Sequence, residues 1–157
     1  MPETRPIHVY FALLPGSLVL DWAGPAEALR IANQCLRAAG QPEAFALRFI
    51  GPESQTSSSV GAIISQIEPL PPDLSEPAWV VLVGQPGRTV DADSDSARQL
   101  IRWLRALELA PGRLELLTVC AGAILAAHAG LLDGHRATTH HEHLDELRAV
   151  APRCETV

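Results

Sequence analysis

The chain has 157 residues, a formal net charge of −6, 47% hydrophobic residues and 4% aromatic residues. This length predicts one domain with a substantial core. The sequence has no cluster of Lys or Arg, which argues against direct binding to the phosphate backbone of nucleic acids. The longest weakly polar run, residues 116–132, is too short and too rich in small residues to predict a membrane span.

In chain order, the first half predicts a strand, a helix, a second strand and a short edge strand. Their predicted bounds are residues 7–14, 25–39, 45–50 and 60–64. Pro25 suits the first position of the helix and Gly40 its C-terminal end. Cys35 falls beside the apolar stripe of this helix, so we expect it to pack against the core. Four prolines make residues 68–77 an extended connector rather than an element.

The second half continues the alternation of strands and helices. Its predicted elements are a strand at 79–83, a helix at 97–107, a strand at 114–119, a helix that ends near Gly130, a short strand at 136–139, a helix at 144–150 and the opening of a strand at 154–157. This order predicts an α/β fold, a three-layer sandwich with a mostly parallel, flavodoxin-like sheet and helices on both faces. In such sheets, ligands bind beyond the carboxyl ends of the strands.

The most informative stretch is residues 114–125, where an apolar strand leads into Cys120 and then into small residues. This pattern predicts a strand, a sharp turn and a helix, similar to a nucleophile elbow with a reactive side chain at its apex. The N-terminus of the following helix would favour the thiolate over the thiol. The alternative is that Cys120 is simply a small buried hydrophobic residue.

Several blocks of the sequence resemble the ThiJ/PfpI superfamily, whose fold is that of class I glutamine amidotransferases. These blocks are residues 20–27, the strand before Gly84, residues 118–122 and, most specific of all, residues 129–140. Together they are most similar to the N-terminal domain of GlxA-type regulators of the AraC family. In those regulators a ThiJ/PfpI-like domain precedes a helix-turn-helix domain that binds DNA.

The resemblance implies roles for three residues. Cys120 matches the elbow cysteine, and Asp21 matches an acidic residue that lies against the sulfur in many relatives. His140 matches a histidine near the cysteine pocket, where it could act as a base. Asp21 could instead be a helix-entry residue that supports the turn at Gly24 and Pro25. His140 could instead be a capping or edge histidine.

Two departures from the family pattern count against the transfer of an enzymatic activity. Relatives that hydrate isonitriles carry a threonine after the cysteine, and here that position is Ala121. Many enzymatic relatives have two adjacent glycines after the central strand, whose amides can face an oxyanion. Here Gly84 is followed by Gln85, whose side chain we expect in the mouth of the site.

The expected ligand-binding residues are those next to Cys120 and after the strand that ends before Gly84. They are Gly84, Gln85, Ala121 and Gly122.

The family's chains continue with further strands, a closing helix and, in the regulators, the DNA-binding module. We therefore expect residues 1–157 to form a single ThiJ/PfpI-like domain truncated before its closing strands, with exposed apolar surface, poor solubility or self-association. The helix-turn-helix domain is not part of these residues, so DNA would be bound only through it. A homodimer is the expected assembly.

Three functions follow from these observations. The preferred one is the ligand-sensing and dimerising domain of a cytoplasmic transcriptional regulator, with a small-molecule crevice at Cys120, no cofactor and no membrane partner. The alternative is a cysteine-dependent hydratase or hydrolase acting on a small carbon–nitrogen or carbonyl substrate. A thiol redox sensor is the third.

Three widely separated cysteines without a CxxC pair are typical of a reduced, cytoplasmic protein.

Neighbouring histidines at residues 140–143 could be taken for a metal site. Adjacent side chains on a regular helix point in different directions, and the spacing is not the i, i+4 pattern that aligns ligands. The expectation from the sequence is therefore that no metal binds there.

Overall fold

The computed structural model describes residues 5–157. Its elements in chain order are β1 (Ile7–Ala12), α1 (Val19–Ala38), β2 (Phe45–Gly51), β3 (Gln55–Ser57), β4 (Ile63–Ser65), β5 (Glu68–Pro69), β6 (Ala78–Leu82), α2 (Asp95–Arg105), β7 (Leu114–Thr118), α3 (Gly122–His128), β8 (Arg136–Ala137), α4 (Leu144–Val150) and β9 (Glu155–Thr156). A single 3-10 turn over His141–His143 precedes α4.

The centre of the molecule is a five-stranded sheet in the order β5-β2-β1-β6-β7. Every pair of neighbouring strands in it is parallel. Val9 of β1 lies opposite Leu47 of β2 and Trp79 of β6. β3 and β4 form a separate antiparallel hairpin, and β8 and β9 pair in parallel outside the main sheet. The predicted α/β class with a mostly parallel sheet is confirmed.

Both faces of the sheet are covered because alternate residues of each strand point to opposite sides. Tyr10 and Ala12 of β1 belong to the larger core cluster, which also contains residues of α2, α3 and α4. Val9 and Phe11 belong to a second cluster, together with residues of α1. The helices therefore lie in two layers around the sheet, and the predicted three-layer sandwich is confirmed.

Helix α2 shows how the sequence builds one of these layers. Ser94 begins the helix, and its hydroxyl accepts a hydrogen bond from the Ala97 backbone N–H at 3.2 Å. Such N-caps stabilise a helix because its first amides have no partner within it. Leu100 and Leu104, one helical turn apart, are fully buried against the sheet. The helix predicted at residues 97–107 is therefore present, with bounds Asp95–Arg105.

Helix α1 differs from the prediction. It begins at Val19 and contains Pro25 in its interior, so the expected start at Pro25 is wrong. A proline removes one backbone donor, which a helix tolerates best near its start. Cys35 is exposed, so its predicted packing against the core is also wrong. Residues 68–77 are not only a connector, because Glu68–Pro69 pairs with the end of β2.

Among the described residues, none of the helices is long and apolar enough to cross a membrane.

Candidate functional site

Cys120 lies in the turn between β7 and α3, in a left-handed backbone conformation with φ of 53°. The chain enters the turn with the Val119 N–H bonded to the Leu82 carbonyl at 2.9 Å, and leaves it with the Gly122 N–H bonded to the Val119 carbonyl at 2.9 Å. A left-handed conformation is uncommon for a residue other than glycine, and such strained residues cluster at functional sites. The predicted strand, sharp turn and helix are present.

Gly122 is required by the way α3 packs on strand β6. A Cβ atom at this position would lie 2.3 Å from the Leu82 carbonyl oxygen and 2.6 Å from its carbon. Such distances are far shorter than van der Waals contact, so only glycine fits without movement of the backbone. Ala121 is also buried, with 1% of its surface exposed. The close approach places the start of α3 directly against the sheet beside Cys120.

The environment of the Cys120 sulfur raises the pKa of the thiol above its ordinary value. Partial burial is the main cause, because it disfavours the charged thiolate, and the nearby carboxylate of Asp21 acts in the same direction. The Ala121 backbone N–H donates to the sulfur and opposes this shift. The expected contribution of the helix N-terminus is therefore present, but the net shift of the pKa is upward. The amide contributes as expected, but burial outweighs it.

Asp21 joins α1 to the end of β6. It lies in the first turn of α1, and its Oδ2 accepts a hydrogen bond from the Gly84 N–H at 3.0 Å. A Cβ atom on Gly84 would lie 3.0 Å from this oxygen and 3.1 Å from the Ala121 nitrogen. Three residues therefore lie close together next to Cys120, namely Asp21, Gly84 and Ala121. Asp21 is thus a helix-entry residue, as the alternative held, but Gly24 and Pro25 lie inside α1 and form no turn for it to support.

Gln85 is buried, with 9% of its surface exposed. Its Nε2 donates to the Pro15 carbonyl at 2.9 Å, which ties the ends of β1 and β6 together. Its Oε1 has no hydrogen-bond partner among the described residues. The side chain does not line the cleft described below, so the expectation that it lies in the mouth of the site is wrong.

A cleft of about 890 Å³ opens beside β7, and both Cys120 and His140 line it. Much of its remaining wall is apolar and comes from β7, from the loop before it and from the segment after α3; these residues include Leu109, Leu116, Leu117, Leu131, Leu132 and Ala137. This volume is within the range of about 300–1,000 Å³ that small-molecule sites occupy. Asp21 and the four expected ligand-binding residues do not line it; these four are Gly84, Gln85, Ala121 and Gly122.

His140 reaches the cleft because the segment before it is tied to the cysteine turn. The Thr139 hydroxyl donates to the Cys120 carbonyl at 3.2 Å. The His140 side chain is 35% exposed, and its Nδ1 accepts the Glu142 backbone N–H at 3.4 Å. The residue therefore caps the 3-10 turn, as the alternative interpretation held, and also forms part of the cleft wall beside Cys120.

Two residues of this region, Thr139 and Glu146, were given no role from the sequence, and His143 was considered only as part of the discounted metal site. Thr139 connects the cleft wall to the cysteine turn. His143 is 3% exposed, and its Nδ1 lies 2.6 Å from a carboxylate oxygen of Glu146. The other oxygen of Glu146 accepts the Val90 backbone N–H at 3.0 Å. The spacing of a histidine and a glutamate three residues apart was the one signal for this pair.

Two relatives in sequence place the chain among known proteins. It is 31% identical over 153 residues to the HTH-type transcriptional regulator CdhR of Pseudomonas aeruginosa, covering 92% of this chain and 40% of the regulator. It is 30% identical over 152 residues to an uncharacterized protein in the cpoL 5′ region of Streptomyces lividans, covering 95% of this chain and 96% of that protein. No protein-family model matches the chain.

Solved structures identify the fold. An AraC family transcriptional regulator from Pseudomonas putida superposes with a TM-score of 0.71 at 22% identity, covering 97% of this chain and 76% of that one. A ThiJ/PfpI family protein from Pseudomonas syringae superposes with a TM-score of 0.64 at 20% identity, covering 95% of this chain and 56% of that one. The fold is therefore that of the ThiJ/PfpI superfamily, similar to that of AraC-type N-terminal domains.

The chain belongs to the same family as the Streptomyces lividans protein, which it matches over nearly the whole length of both. It spans about two-fifths of the length of the Pseudomonas aeruginosa regulator.

Proposed function

We propose that this chain is the ligand-sensing and dimerising domain of a GlxA-type transcriptional regulator of the AraC family. The observation that carries the proposal is the match of 92% of the chain to 40% of a helix-turn-helix regulator. DNA contact would then belong to a separate domain. The net charge of −6 agrees with this division, because an acidic domain offers little attraction to phosphates.

The cleft at Cys120 is the proposed ligand site. Its wall combines apolar side chains with the thiol of Cys120 and the imidazole of His140. A few polar groups in a mainly apolar cavity orient a small molecule while the apolar surface supplies affinity. The cleft therefore fits a small metabolite with an apolar portion and one polar group that faces the thiol and imidazole.

Three features favour binding over catalysis at this site. The pKa of the Cys120 thiol is raised, so little nucleophilic thiolate forms at neutral pH. The Gly84 amide already donates to Asp21 and is not free to hold an oxyanion. Ala121 has no hydroxyl to exchange protons with a substrate. A site that recognises its ligand without turning it over is what a sensor needs.

A ligand screen with a paired variant tests the proposal. The melting temperature of the chain is measured against a panel of small metabolites, and each hit is repeated with Cys120→Ala and with the exposed Cys35→Ala as control. We expect a hit to raise the melting temperature of all three forms, with no product found by mass spectrometry. Conversion of a hit to product by the wild type, but not by Cys120→Ala, would contradict the sensor role.

The enzymatic alternative has one specific observation in its favour. Cys120 has the left-handed conformation expected of a nucleophile elbow, and the Ala121 N–H points at its sulfur. In that case Cys120 would attack a carbon–nitrogen or carbonyl group and His140 would transfer the proton. Trapping of a covalent adduct on Cys120 by mass spectrometry, lost in His140→Ala, is the result this alternative requires.

A further inference from the structure

The turn after Thr139 brings three potential metal ligands together. One ligand atom from each of His140, His141 and Glu142 lies within 4.8 Å of the other two. The two imidazole rings have centroids only 4.3 Å apart. This differs from the expectation that adjacent histidines diverge, which assumed a regular helix. Here His140 is extended, with ψ of 137°, and the 3-10 turn begins at the next residue, so the chain folds the two rings onto the same side.

We propose that His140, His141 and Glu142 form a binding site for a divalent first-row transition metal, with Zn²⁺ as the test ion. Two imidazoles and a carboxylate are a ligand set that such ions accept, and three protein ligands leave one position open. Bonds of about 2.0–2.1 Å place tetrahedral ligands roughly 3.4 Å apart. Small rotations of these side chains would close the present separation, and both His141 and Glu142 are exposed and free to make them.

The backbone that carries the three ligands is held at both ends. On one side the Thr139 hydroxyl is bonded to the Cys120 carbonyl at 3.2 Å. On the other side the buried ring of His143 lies 2.6 Å from Glu146, which in turn accepts the Val90 N–H. Binding to a held turn costs less ordering than binding to a free loop. The local structure is therefore suited to hold a cation.

The position of the cluster indicates what would occupy the open coordination position of the metal ion. His140 also lines the cleft beside Cys120, so an ion on its imidazole would lie at the wall of that cleft. The remaining ligand would be a water molecule or an anionic group of a molecule in the cleft. The metal site does not depend on the proposed regulatory function, since it would exist in a sensor and in an enzyme alike.

Metal titration of purified variants tests the proposal. Zn²⁺ is titrated by competition with a chromogenic chelator, with His141→Ala and Glu142→Gln as test variants and His135→Ala as control. His135 lines the same cleft but lies outside the cluster. We expect the wild type and the control to bind one equivalent, and each test variant to bind at least tenfold more weakly. Circular dichroism checks that the exposed test positions have not altered the fold.

Co²⁺ substitution separates this site from binding at a thiol. Coordination by imidazole and carboxylate gives visible d–d absorption without a thiolate-to-cobalt charge-transfer band. We expect that spectrum in the wild type and in Cys120→Ala. No binding of Zn²⁺, unchanged affinity in both test variants, or a charge-transfer band that disappears with Cys120 would each overturn the proposal.

Discussion

At the scale of single residues, the chemistry of Cys120 is decided by opposing effects on one sulfur atom. The Ala121 N–H stabilises the thiolate, whereas burial and the Asp21 carboxylate destabilise it. Burial and the Asp21 carboxylate together outweigh the Ala121 amide, so the pKa of the thiol lies above its ordinary value. A nucleophilic or redox-sensing role needs the opposite balance, because the thiolate is the reactive form. The surroundings of Cys120 therefore lower the reactivity that its sequence context predicts.

This balance predicts slow alkylation of Cys120 at neutral pH. Because the pKa of the folded thiol is raised, we expect the iodoacetamide rate at this residue to keep rising at a pH where a free cysteine peptide has already reached its plateau. Asp21→Asn removes a negative charge and should shift the Cys120 profile to lower pH. Site-resolved mass spectrometry measures both profiles. A wild-type midpoint below that of the peptide would contradict the assigned environment.

Gly122 offers a second test at this scale. Gly122→Ala would push a methyl group into the Leu82 carbonyl, so we expect destabilisation of about 1–3 kcal/mol, the usual range for overpacking. The matched control is Gly24→Ala inside α1, where an added Cβ meets nothing within 4 Å. There alanine favours the helix but stands directly before Pro25, whose ring disfavours a Cβ in helical conformation, so we expect a change of less than about 1 kcal/mol in either direction. Urea denaturation measures both; similar midpoints for the two variants would refute the close packing of α3.

At the scale of elements, most of the architecture could be predicted because each strand and helix is marked locally. The apolar runs at β1, β2, β6 and β7 and the helical spacing in α2 need no knowledge of distant residues. The start of α1 was missed because Pro25 is a strong local marker for a first helical position, although the helix continues six residues before it, to Val19. Tertiary packing of Trp22 beside Phe49 accompanies this extra length.

The site was only partly predictable for a related reason. Cys120 is marked by its neighbours in the sequence, but its charge balance depends on Asp21, which lies far away along the chain. The burial of Gln85 depends on its bond to Pro15. The approach of His140 and His141 depends on the change from extended backbone to 3-10 turn. Neither periodicity nor composition in the sequence predicts contacts of this kind.

The connection between α4 and the loop before α2 is a further prediction at this scale. Glu146 accepts the Val90 N–H and contacts the buried His143 ring, so Glu146→Ala would leave two buried polar groups without their partner. We expect a loss of about 1–3 kcal/mol. Asp145→Ala on the same helix is the control, because its 98% exposed side chain makes only a surface ion pair with Arg148. Thermal unfolding that ranks the two variants equally would contradict this role of Glu146.

At the scale of the whole molecule, one outer edge of the sheet is formed by β7. Among residues 5–157, β7 is hydrogen-bonded to a neighbouring strand on one side only, because it ends the strand order. Leu117 on this strand is 37% exposed and lines the cleft. An unpaired edge beside an apolar surface is a template for pairing with another chain. The open edge is therefore the surface at which we expect residues 1–157 to self-associate.

We expect residues 1–157 to self-associate through this edge, so that sedimentation velocity shows a weight-average mass that rises with concentration. Leu117→Lys places a charge at the edge and should shift the population toward monomer, since charged residues on edge strands oppose pairing. Leu20→Lys is the control, because Leu20 is 82% exposed on α1 and lies neither on β7 nor in the wall of the cleft. A concentration-independent monomer in the wild type would exclude association through β7. An equal loss of association in both variants would assign it to general apolar exposure instead, since only pairing at the edge makes Leu117 matter more than the more exposed Leu20.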